Sequence, residues 1–166
     1  MTSFNQKQVL DYGCGSGMFL QAISNEIKNG IGVDLDTDVA NKVITADNIS
    51  LKQITHESEI SHLSDIDIIT SFDVLEHIKD LDSVFSIFEK VLAKDGIIII
   101  SGPTENFYYK LARMITRLGV KGNLLGEKEH VTNITEIKNK MIKRGYRIEN
   151  NVNLWNLFHV TSFRIN

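Results

Sequence analysis

The sequence predicts an α/β fold: a mostly parallel sheet with helices on both faces and an antiparallel strand pair at the C-terminus. Short apolar runs alternate with helical patterns over most of the chain. Residues 97–100 form a continuous β-branched run, which is typical of a strand buried on both faces. The last two runs, at 146–155 and 157–165, have almost no residues between them, so they can only pair as antiparallel neighbours.

The bulk composition excludes several classes of protein. The chain has 166 residues, and we expect a single domain over residues 1–166. A net charge of −3 argues against a nucleic-acid backbone as the main partner. The single cysteine leaves no disulfide framework, and no stretch approaches the ~18 apolar residues of a membrane span. The N-terminus has no apolar core of signal-peptide length, so we expect a cytoplasmic protein without a membrane span.

The first part of the chain predicts three strands and two helices. The strands are expected at residues 8–12, 31–35 and 51–55. Apolar residues at helical spacing from Phe19 to Ile27 predict the first helix, and Gly30 is expected to end it. A short, weak helix is expected at residues 37–43.

The second part predicts a buried strand at residues 66–71, a helix and a further strand at 97–100. Asp80 or Asp82 is the expected N-cap of this helix, and Gly96 is expected to end it. The apolar face of the helix consists of Val84, Phe85, Phe88, Val91 and Leu92.

A final helix precedes the C-terminal strand pair. Asn133 and Glu136 have the spacing of a capping box, and the helical pattern runs from there to Arg144. Gly145 is expected to end this helix.

Residues 104–133 interrupt the regular alternation and contain a further helical pattern. This segment follows a strand at the edge where α/β sheets bind ligands, and we expect it to form a substrate-side lid. Its positive side chains would suit an acidic or lipid-linked substrate, although a helix packed on the sheet edge with a solvated basic face is the alternative. The positive residues are Lys110, Arg113, Arg117, Lys121 and Lys128.

Three glycines lie between the first strand and the first helix, at positions 13, 15 and 17. They suit a tight turn and a close approach of the backbone to a ligand. The dinucleotide-binding pattern requires a third glycine where this chain has Met18. The free N–H groups expected at the start of the helix would donate to a carboxylate as well as to a phosphate.

Two acidic residues indicate which chemical groups the ligand carries. Asp11 precedes the glycines and suits a cationic group, whereas a pyrophosphate would be repelled there. Asp34 follows Gly13 by 21 residues, the distance at which an acid reaches the ribose hydroxyls in nucleotide-binding α/β units. A ligand with an ammonium, a carboxylate and a ribose would use all of these groups, and S-adenosylmethionine is such a ligand.

Five motifs in order resemble those of the class I S-adenosylmethionine-dependent methyltransferases. They are VLDYGCGSGMFL, GIGVDLD, SFDVLEHI, LAKDGIIIISGP and EHVTNIT, the last followed by GY. The chain resembles most the subgroup of ubiquinone-biosynthesis O-methyltransferases and of methyltransferases in sugar and lipid pathways. The resemblance implies a Rossmann-like fold and methyl transfer to an oxygen or nitrogen of a small-molecule acceptor.

The resemblance also implies where the cofactor lies. Asp11 would approach the methionine ammonium, Asp34 would bind the ribose, and Leu35 would pack on the adenine. The methionine backbone would be lined by Tyr12, Gly13, Cys14 and Gly15. The methyl-bearing sulfur would be flanked by Ser71, Phe72 and Asp73. Three candidates stay open for the adenine edge: Asp47, His56 and Glu57.

Asp73, Glu76 and His77 lie at spacings of three and four, which place them on one face of a helical turn. A metal-dependent subset of the resembling family has E-x-x-E-H here, completed by a distant histidine, for which His130 is the candidate. A divalent metal is therefore possible but not expected, because the pattern also occurs without one. Glu76 and His77 would then brace the helix, or His77 would face the substrate. His130 has two further interpretations, a structural residue or a base in the pocket, since histidine titrates near neutral pH.

Two other functions compete with methyl transfer. The first strand is expected near Gln8, without the N-terminal helices usual in the resembling family. A minimal enzyme, a truncated chain and one domain of a longer protein would each explain this, and it would also suit a binding module without catalysis. A nicotinamide-dependent dehydrogenase is the third hypothesis, disfavoured by Asp11 and Met18. The acceptor and the oligomeric state do not follow from the sequence.

Overall fold

The structure, a computed structural model, describes residues 3–103, 131–154 and 158–165. The strands are β1 (Gln8–Tyr12), β2 (Asn29–Asp34), β3 (Ile49–Gln53), β4 (Ile66–Phe72), β5 (Leu92–Pro103), β6 (Tyr146–Leu154) and β7 (Phe158–Ile165). Within the described residues they form one sheet in the order β3-β2-β1-β4-β5-β7-β6. Only the pairs that include β7 are antiparallel, which confirms the predicted sheet.

Helices cover both faces of the sheet, as predicted. They are α1 (Met18–Ile23), α2 (Ala40–Val43), α3 (Leu81–Val91) and α4 (Ile134–Lys143). Leu20 of α1 packs with Val9 and Ile68 on one face. On the opposite face, α3 and α4 bury a second cluster against the strands. This cluster includes Leu10, Ile98, Phe85, Phe88 and Ile137.

The β-branched run in β5 lies at the centre of this arrangement. Ile97 and Ile99 join the cluster under α1, whereas Ile98 and Ile100 join the cluster under α3 and α4. All four side chains are buried. Successive residues of a strand point to opposite faces, so a strand covered on both sides needs an apolar residue at every position.

The first helix is shorter than predicted, and Gly30 does not end it. Helix α1 ends at Ile23, and Gly30 lies inside β2. A Cβ atom at Gly30 would lie 3.0 Å from Ile27 Cδ1 and 3.2 Å from Leu20 Cδ2. The glycine is therefore explained by the close packing of the helical segment on the strand.

Gly96 is a second glycine to which the predicted role does not apply. Helix α3 ends at Val91, and Gly96 lies within β5. A Cβ atom at Gly96 would lie 2.6 Å from Leu92 Cγ, so a larger residue would displace the leucine side chain. Leu92 already pairs with Ile66 of β4, and it therefore belongs to the strand rather than to the end of the helix.

The predicted helix caps are present. Asp80 accepts a hydrogen bond from the Ser83 N–H at 3.1 Å at the start of α3. Asn133 accepts one from the Glu136 N–H at 3.0 Å at the start of α4. Each cap satisfies a backbone donor that the helix itself leaves without a partner.

Two sequence expectations concern residues beyond those described. Residues 104–130, which carry most of the predicted lid, lie outside the described residues, as does His130. Among the described residues, no helix is long and apolar enough to cross a membrane.

Candidate functional site

The carboxyl ends of β1, β2, β3 and β4 lead into a cavity of about 600 Å³. Ligands of open α/β sheets bind at this edge, because the loops that follow the strands meet there. The polar residues at the cavity are Tyr12, Asp34, Thr55, His56, Glu57, Asp73 and His77. Gly13 and five apolar side chains complete the lining: Val33, Leu35, Ile54, Val74 and Ile78.

The glycine loop is tied to β2 at its start. The N–H groups of Gly13 and Cys14 both donate to the carbonyl oxygen of Val33, at 2.8 and 3.0 Å. Gly13 has a φ of +81°, and a Cβ atom there would lie 2.3 Å from Val74 Cγ2. Only glycine fits this position, because any side chain would be strained and would also collide with the segment after β4.

Asp34 connects the loop to the cavity from the end of β2. Its Oδ2 atom accepts a hydrogen bond from the Gly15 N–H at 2.8 Å, and its Oδ1 atom accepts one from the Asp36 N–H at 3.3 Å. The side chain lines the cavity. The predicted second acid is therefore at the ligand edge of the sheet, held by backbone donors.

Asp11 is a buried carboxylate with a hydroxyl partner. Its side chain is 3% exposed, and Thr70 Oγ1 donates to its Oδ1 atom at 2.6 Å. Burial raises the pKa of Asp11 to about 6; the Thr70 hydrogen bond lowers it, and the nearby Asp34 carboxylate raises it further. Among the described residues, no cationic side chain forms an ion pair with Asp11.

Cys14 is a packing residue of the loop. The residue is buried, and its Sγ atom would lie 3.0 Å from a Cβ atom at Gly32. Burial, followed by the charges of Asp11 and Asp34, raises the pKa of the Cys14 thiol to about 12. The thiol is thus neutral at physiological pH and is a poor nucleophile.

Tyr12 forms part of the floor of the cavity. Its ring packs edge-on against Phe88 of α3, with the ring centroids 5.2 Å apart. Burial, followed by the charge of Glu57, raises the pKa of Tyr12 to about 12. The phenol is therefore protonated at neutral pH.

Two of the three candidates for the adenine edge line the cavity. Glu57 accepts a hydrogen bond from the Ser83 hydroxyl of α3, which fixes its carboxylate. His56 caps the 3₁₀ turn Glu57–Ile60 by accepting the Ser58 N–H at 3.2 Å. Asp47 lies instead in a separate depression beside α2. Leu35 lines the same side of the cavity and is 59% exposed, an unusual exposure that a bound ring would reduce.

Of the three residues expected around the sulfur, only Asp73 lines the cavity. Ser71 is fully buried, and the Phe72 ring packs edge-on against Phe19 of α1 at 4.9 Å. Asp73 adopts a φ of +55°, and its Oδ1 atom accepts a hydrogen bond from the Ser101 hydroxyl at 3.0 Å. The strand ends between Phe72 and Asp73, so only the third residue reaches the cavity.

The helical turn expected to carry Asp73, Glu76 and His77 includes only Glu76 and His77, although Asp73 and His77 both line the cavity. The segment forms only a short 3₁₀ turn, Leu75–His77, and Asp73 lies outside it with a left-handed backbone. His77 lines the cavity, whereas Glu76 is 1% exposed. The Glu76 carbonyl accepts the N–H of Val131 at 2.8 Å, which ties this turn to the segment before α4.

No grouping of three His, Cys, Asp or Glu side chains that could hold a metal ion occurs within residues 3–103, 131–154 and 158–165. His130, the distant ligand that the sequence offered, lies outside these ranges. The metal hypothesis therefore stays a prediction.

Several residues of the site were not predicted. Thr70 contacts Asp11 only because β1 and β4 are neighbours, although they are distant in sequence. Val74, Ile54 and Ile78 line the cavity as ordinary apolar residues. Val74 follows Asp73 directly in the SFDVLEHI motif, and this position was the one available signal.

The sequence matches a known family over most of its length. Residues 2–151 match the family described as "Methyltransferase domain". A ubiquinone biosynthesis O-methyltransferase from Actinobacillus pleuropneumoniae serotype 7 is 31% identical over 105 residues, which are 57% of this chain and 45% of that protein. The chain thus spans about half the length of the curated relatives it matches.

Solved structures share the whole fold. An S-adenosylmethionine-dependent methyltransferase from Mesorhizobium loti superimposes with a TM-score of 0.74 and 16% identity, over 99% of this chain and 93% of that one. The magnesium protoporphyrin IX methyltransferase from Synechocystis, with bound SAH, gives a TM-score of 0.71 and 14% identity, over 98% of this chain and 76% of that one. These likenesses confirm the predicted Rossmann-like sheet. By its sequence match and by this fold, the chain belongs to the methyltransferase domain family.

Proposed function

We propose that the cavity binds S-adenosylmethionine and that the protein transfers its methyl group to an oxygen or nitrogen of a small-molecule acceptor. The observation that carries the proposal is the pair of acids at the glycine loop. Asp11 and Asp34 are close enough for their charges to interact, and no described cationic side chain pairs with Asp11. A ligand that brings an ammonium and a sulfonium would supply the missing positive charge.

The residues around the cavity fit the other parts of this ligand. Asp34 has its carboxylate at the end of β2, where it would accept hydrogen bonds from the ribose hydroxyls. Leu35 and Ile54 offer apolar surfaces for the adenine ring. Glu57, oriented by Ser83, is the proposed acceptor for the adenine amino group.

S-adenosylmethionine supplies a methyl group on a positively charged sulfur, which is an activated leaving group. The protein then has to position the acceptor in line with that bond and exclude water. Asp73 and His77 line the cavity, on the segment that follows β4. His77 is the proposed base for an acceptor hydroxyl, because an imidazole is a side chain that can take a proton from a hydroxyl group. Glu76, buried behind the cavity, is proposed to brace this turn, and the role of His130 stays a prediction.

Titration calorimetry with S-adenosylmethionine, S-adenosylhomocysteine and NAD tests the proposal. We expect the first two to bind and NAD not to bind. Binding of NAD alone would favour a dehydrogenase and contradict the proposal. Binding of S-adenosylmethionine and S-adenosylhomocysteine, without methyl transfer from the former to a panel of hydroxyl and amine acceptors, would favour a module without catalysis.

Substitution of the ribose acid tests the assignment within the site. Asp34→Ala should weaken cofactor binding by about tenfold or more, since it removes a charge-assisted hydrogen bond to the ligand and the acceptor of the Gly15 N–H. Asp36→Ala is the matched control, because Asp36 is exposed and, among the described residues, its Oδ1 atom accepts only the Asp38 N–H at 2.8 Å. Equal affinity in the two variants would refute the role of Asp34.

The acceptor side is tested by turnover. His77→Ala should lower the rate with a hydroxyl acceptor and leave cofactor affinity near that of the parent protein, because the proposed base acts on the acceptor. His62→Ala is the control, since His62 is exposed and does not line the cavity. An unchanged rate in His77→Ala would exclude His77 as the base. The cytoplasm stays the proposed location, in keeping with the lone, reduced Cys14.

A further inference from the structure

We propose that Thr70 is a positioning residue for cofactor binding. Its hydroxyl holds the Asp11 carboxylate in its ionised form and in the orientation that meets the positive charge of the ligand. The inference rests on the proposed function, since it concerns the same ligand. It adds a residue on β4 whose role neither the glycine loop nor the family motifs indicate.

The geometry of the pair carries the inference. Asp11 and Thr70 are direct partners across the parallel pair β1 and β4. Both side chains are buried, at 3% and 0% exposure, and the hydroxyl donates to Asp11 Oδ1 at 2.6 Å. A β-branched residue has few rotamers in a strand, so the donor has a fixed position. One carboxylate oxygen is thereby held, and the orientation of the other is determined.

Among the described residues, the Thr70 hydroxyl is the one side-chain group that donates a hydrogen bond to Asp11. On β2 the directly paired residue is Gly32, which has no side chain, and the nearby Asp34 is itself an acid. In the loop, Cys14 is a neutral thiol. An ionised carboxylate in this environment is unfavourable, and the hydrogen bond from Thr70 partly offsets that cost.

A pH dependence of cofactor affinity follows. In the folded protein the pKa of Asp11 is about 6, above its ordinary value of 3.8. Above that pH the carboxylate is present and binds the cationic ligand; as the pH falls below about 6, the carboxylate is protonated and affinity declines. Loss of the hydroxyl removes the group that lowers this pKa, so the midpoint should move upward by about one pH unit.

The test measures the dissociation constant of S-adenosylhomocysteine by calorimetry from pH 5 to pH 8 in the intact protein and its variants. Thr70→Val keeps the shape and removes the hydroxyl, and Thr70→Ala removes it with a different packing. Both should weaken binding about threefold at pH 6.5 and raise the midpoint, whereas Thr70→Ser should restore the parent midpoint. On an Asp11→Asn background, Thr70→Val should have no further effect, because Thr70 acts through Asp11.

Thr161→Val is the matched control. Thr161 is also fully buried in the sheet, but its hydroxyl donates to Asn151 Oδ1 at 2.7 Å on β6, away from the cavity. It should leave the midpoint unchanged. A parent-like midpoint in both Thr70→Val and Thr70→Ala would overturn the inference while leaving the proposed function intact. Absence of binding by the parent protein at every pH would overturn the proposed function and the inference with it.

Discussion

The fold buries the carboxylate of Asp11, where its ionised form is unfavourable. The unfolded chain ionises this group near its ordinary pKa of 3.8, whereas the folded protein does so at about 6. The folded state therefore binds the proton more tightly. Ionisation of Asp11 therefore destabilises the folded state relative to the unfolded chain. This destabilisation is absent below about pH 4, grows between about pH 4 and 6, and reaches its full size above that range. Residues that lower stability in the absence of ligand are typical of binding sites.

Asp11→Asn should therefore stabilise the ligand-free protein at neutral pH. The amide keeps the size of the side chain and removes the buried charge, so we expect the free energy of unfolding at pH 7 to rise by on the order of 2–3 kcal/mol. At pH 5 the gain should be about half as large. Urea denaturation at the two pH values measures both quantities. The same variant should bind S-adenosylmethionine weakly, and a variant that is no more stable than the parent at pH 7 would contradict the account of Asp11.

Gly13→Ala should disrupt the loop. The added Cβ atom would lie 2.3 Å from Val74 Cγ2 in a backbone with a φ of +81°, so both strain and a steric clash oppose it. We expect thermal unfolding at a clearly lower temperature and loss of cofactor binding. Gly145→Ala is the control: φ there is +95°, but nothing lies within 4 Å of the added atom. It should lower stability by about 1 kcal/mol from backbone strain alone and leave binding unchanged.

At the scale of elements, α3 and α4 form one unit over the sheet. Arg144, just after α4, makes a bidentate pair with Glu89 of α3, with N–O distances of 2.9 and 3.0 Å. The start of α4 lies beside the turn after β4, where Val131 donates to the Glu76 carbonyl. The helix pair thereby supports the segment that carries Asp73 and His77 from behind.

Asn133→Ala removes the N-cap of α4. The Glu136 N–H then has no side-chain acceptor at the helix start, and we expect the free energy of unfolding to fall by about 1 kcal/mol. Asn133→Asp should retain the stability, because aspartate accepts the same bond and favours the positive end of the helix dipole. Chemical denaturation measures both variants. A loss of the same size in Asn133→Asp would show that the cap does not act through its oxygen.

At the scale of the whole molecule, the sheet order creates the site. Strand β1 lies between β2 and β4, so Asp34 and Thr70 approach Asp11 from opposite sides. The residues after β3 complete the cavity from the edge of the sheet. A ligand that binds all these segments would stabilise the folded chain as a unit.

S-adenosylmethionine should accordingly raise the melting temperature. At a concentration 100 times its dissociation constant, the stabilisation is about 2.7 kcal/mol. At the same concentration and pH 5 the increase should be smaller, since Asp11, with a pKa of about 6, is then largely protonated. Differential scanning fluorimetry at pH 7 and pH 5 measures both, with NAD as the control ligand. An equal increase at the two pH values would contradict the role of the Asp11 charge.

Much of the fold could be predicted because its signals are local. The continuous β-branched run in β5, the Asp80 and Asn133 caps and the close spacing of β6 and β7 each specify structure over a few residues. The sequence pattern places Gly30 and Gly96 at helix ends, because a helix end and a close contact between two elements both favour glycine. Only the packing of Ile27 and Leu92 on these glycines distinguishes the two causes.

By itself, the sequence determined the family, the glycine loop, and the acids Asp11 and Asp34 at their positions along the chain. The tertiary structure alone decided that Asp73 and His77 line the cavity while Glu76, Ser71 and Phe72 do not. It alone decided that Thr70 holds Asp11. The physical reason is that motifs fix spacing along the chain, whereas strand ends, strand order and register determine which side chains meet.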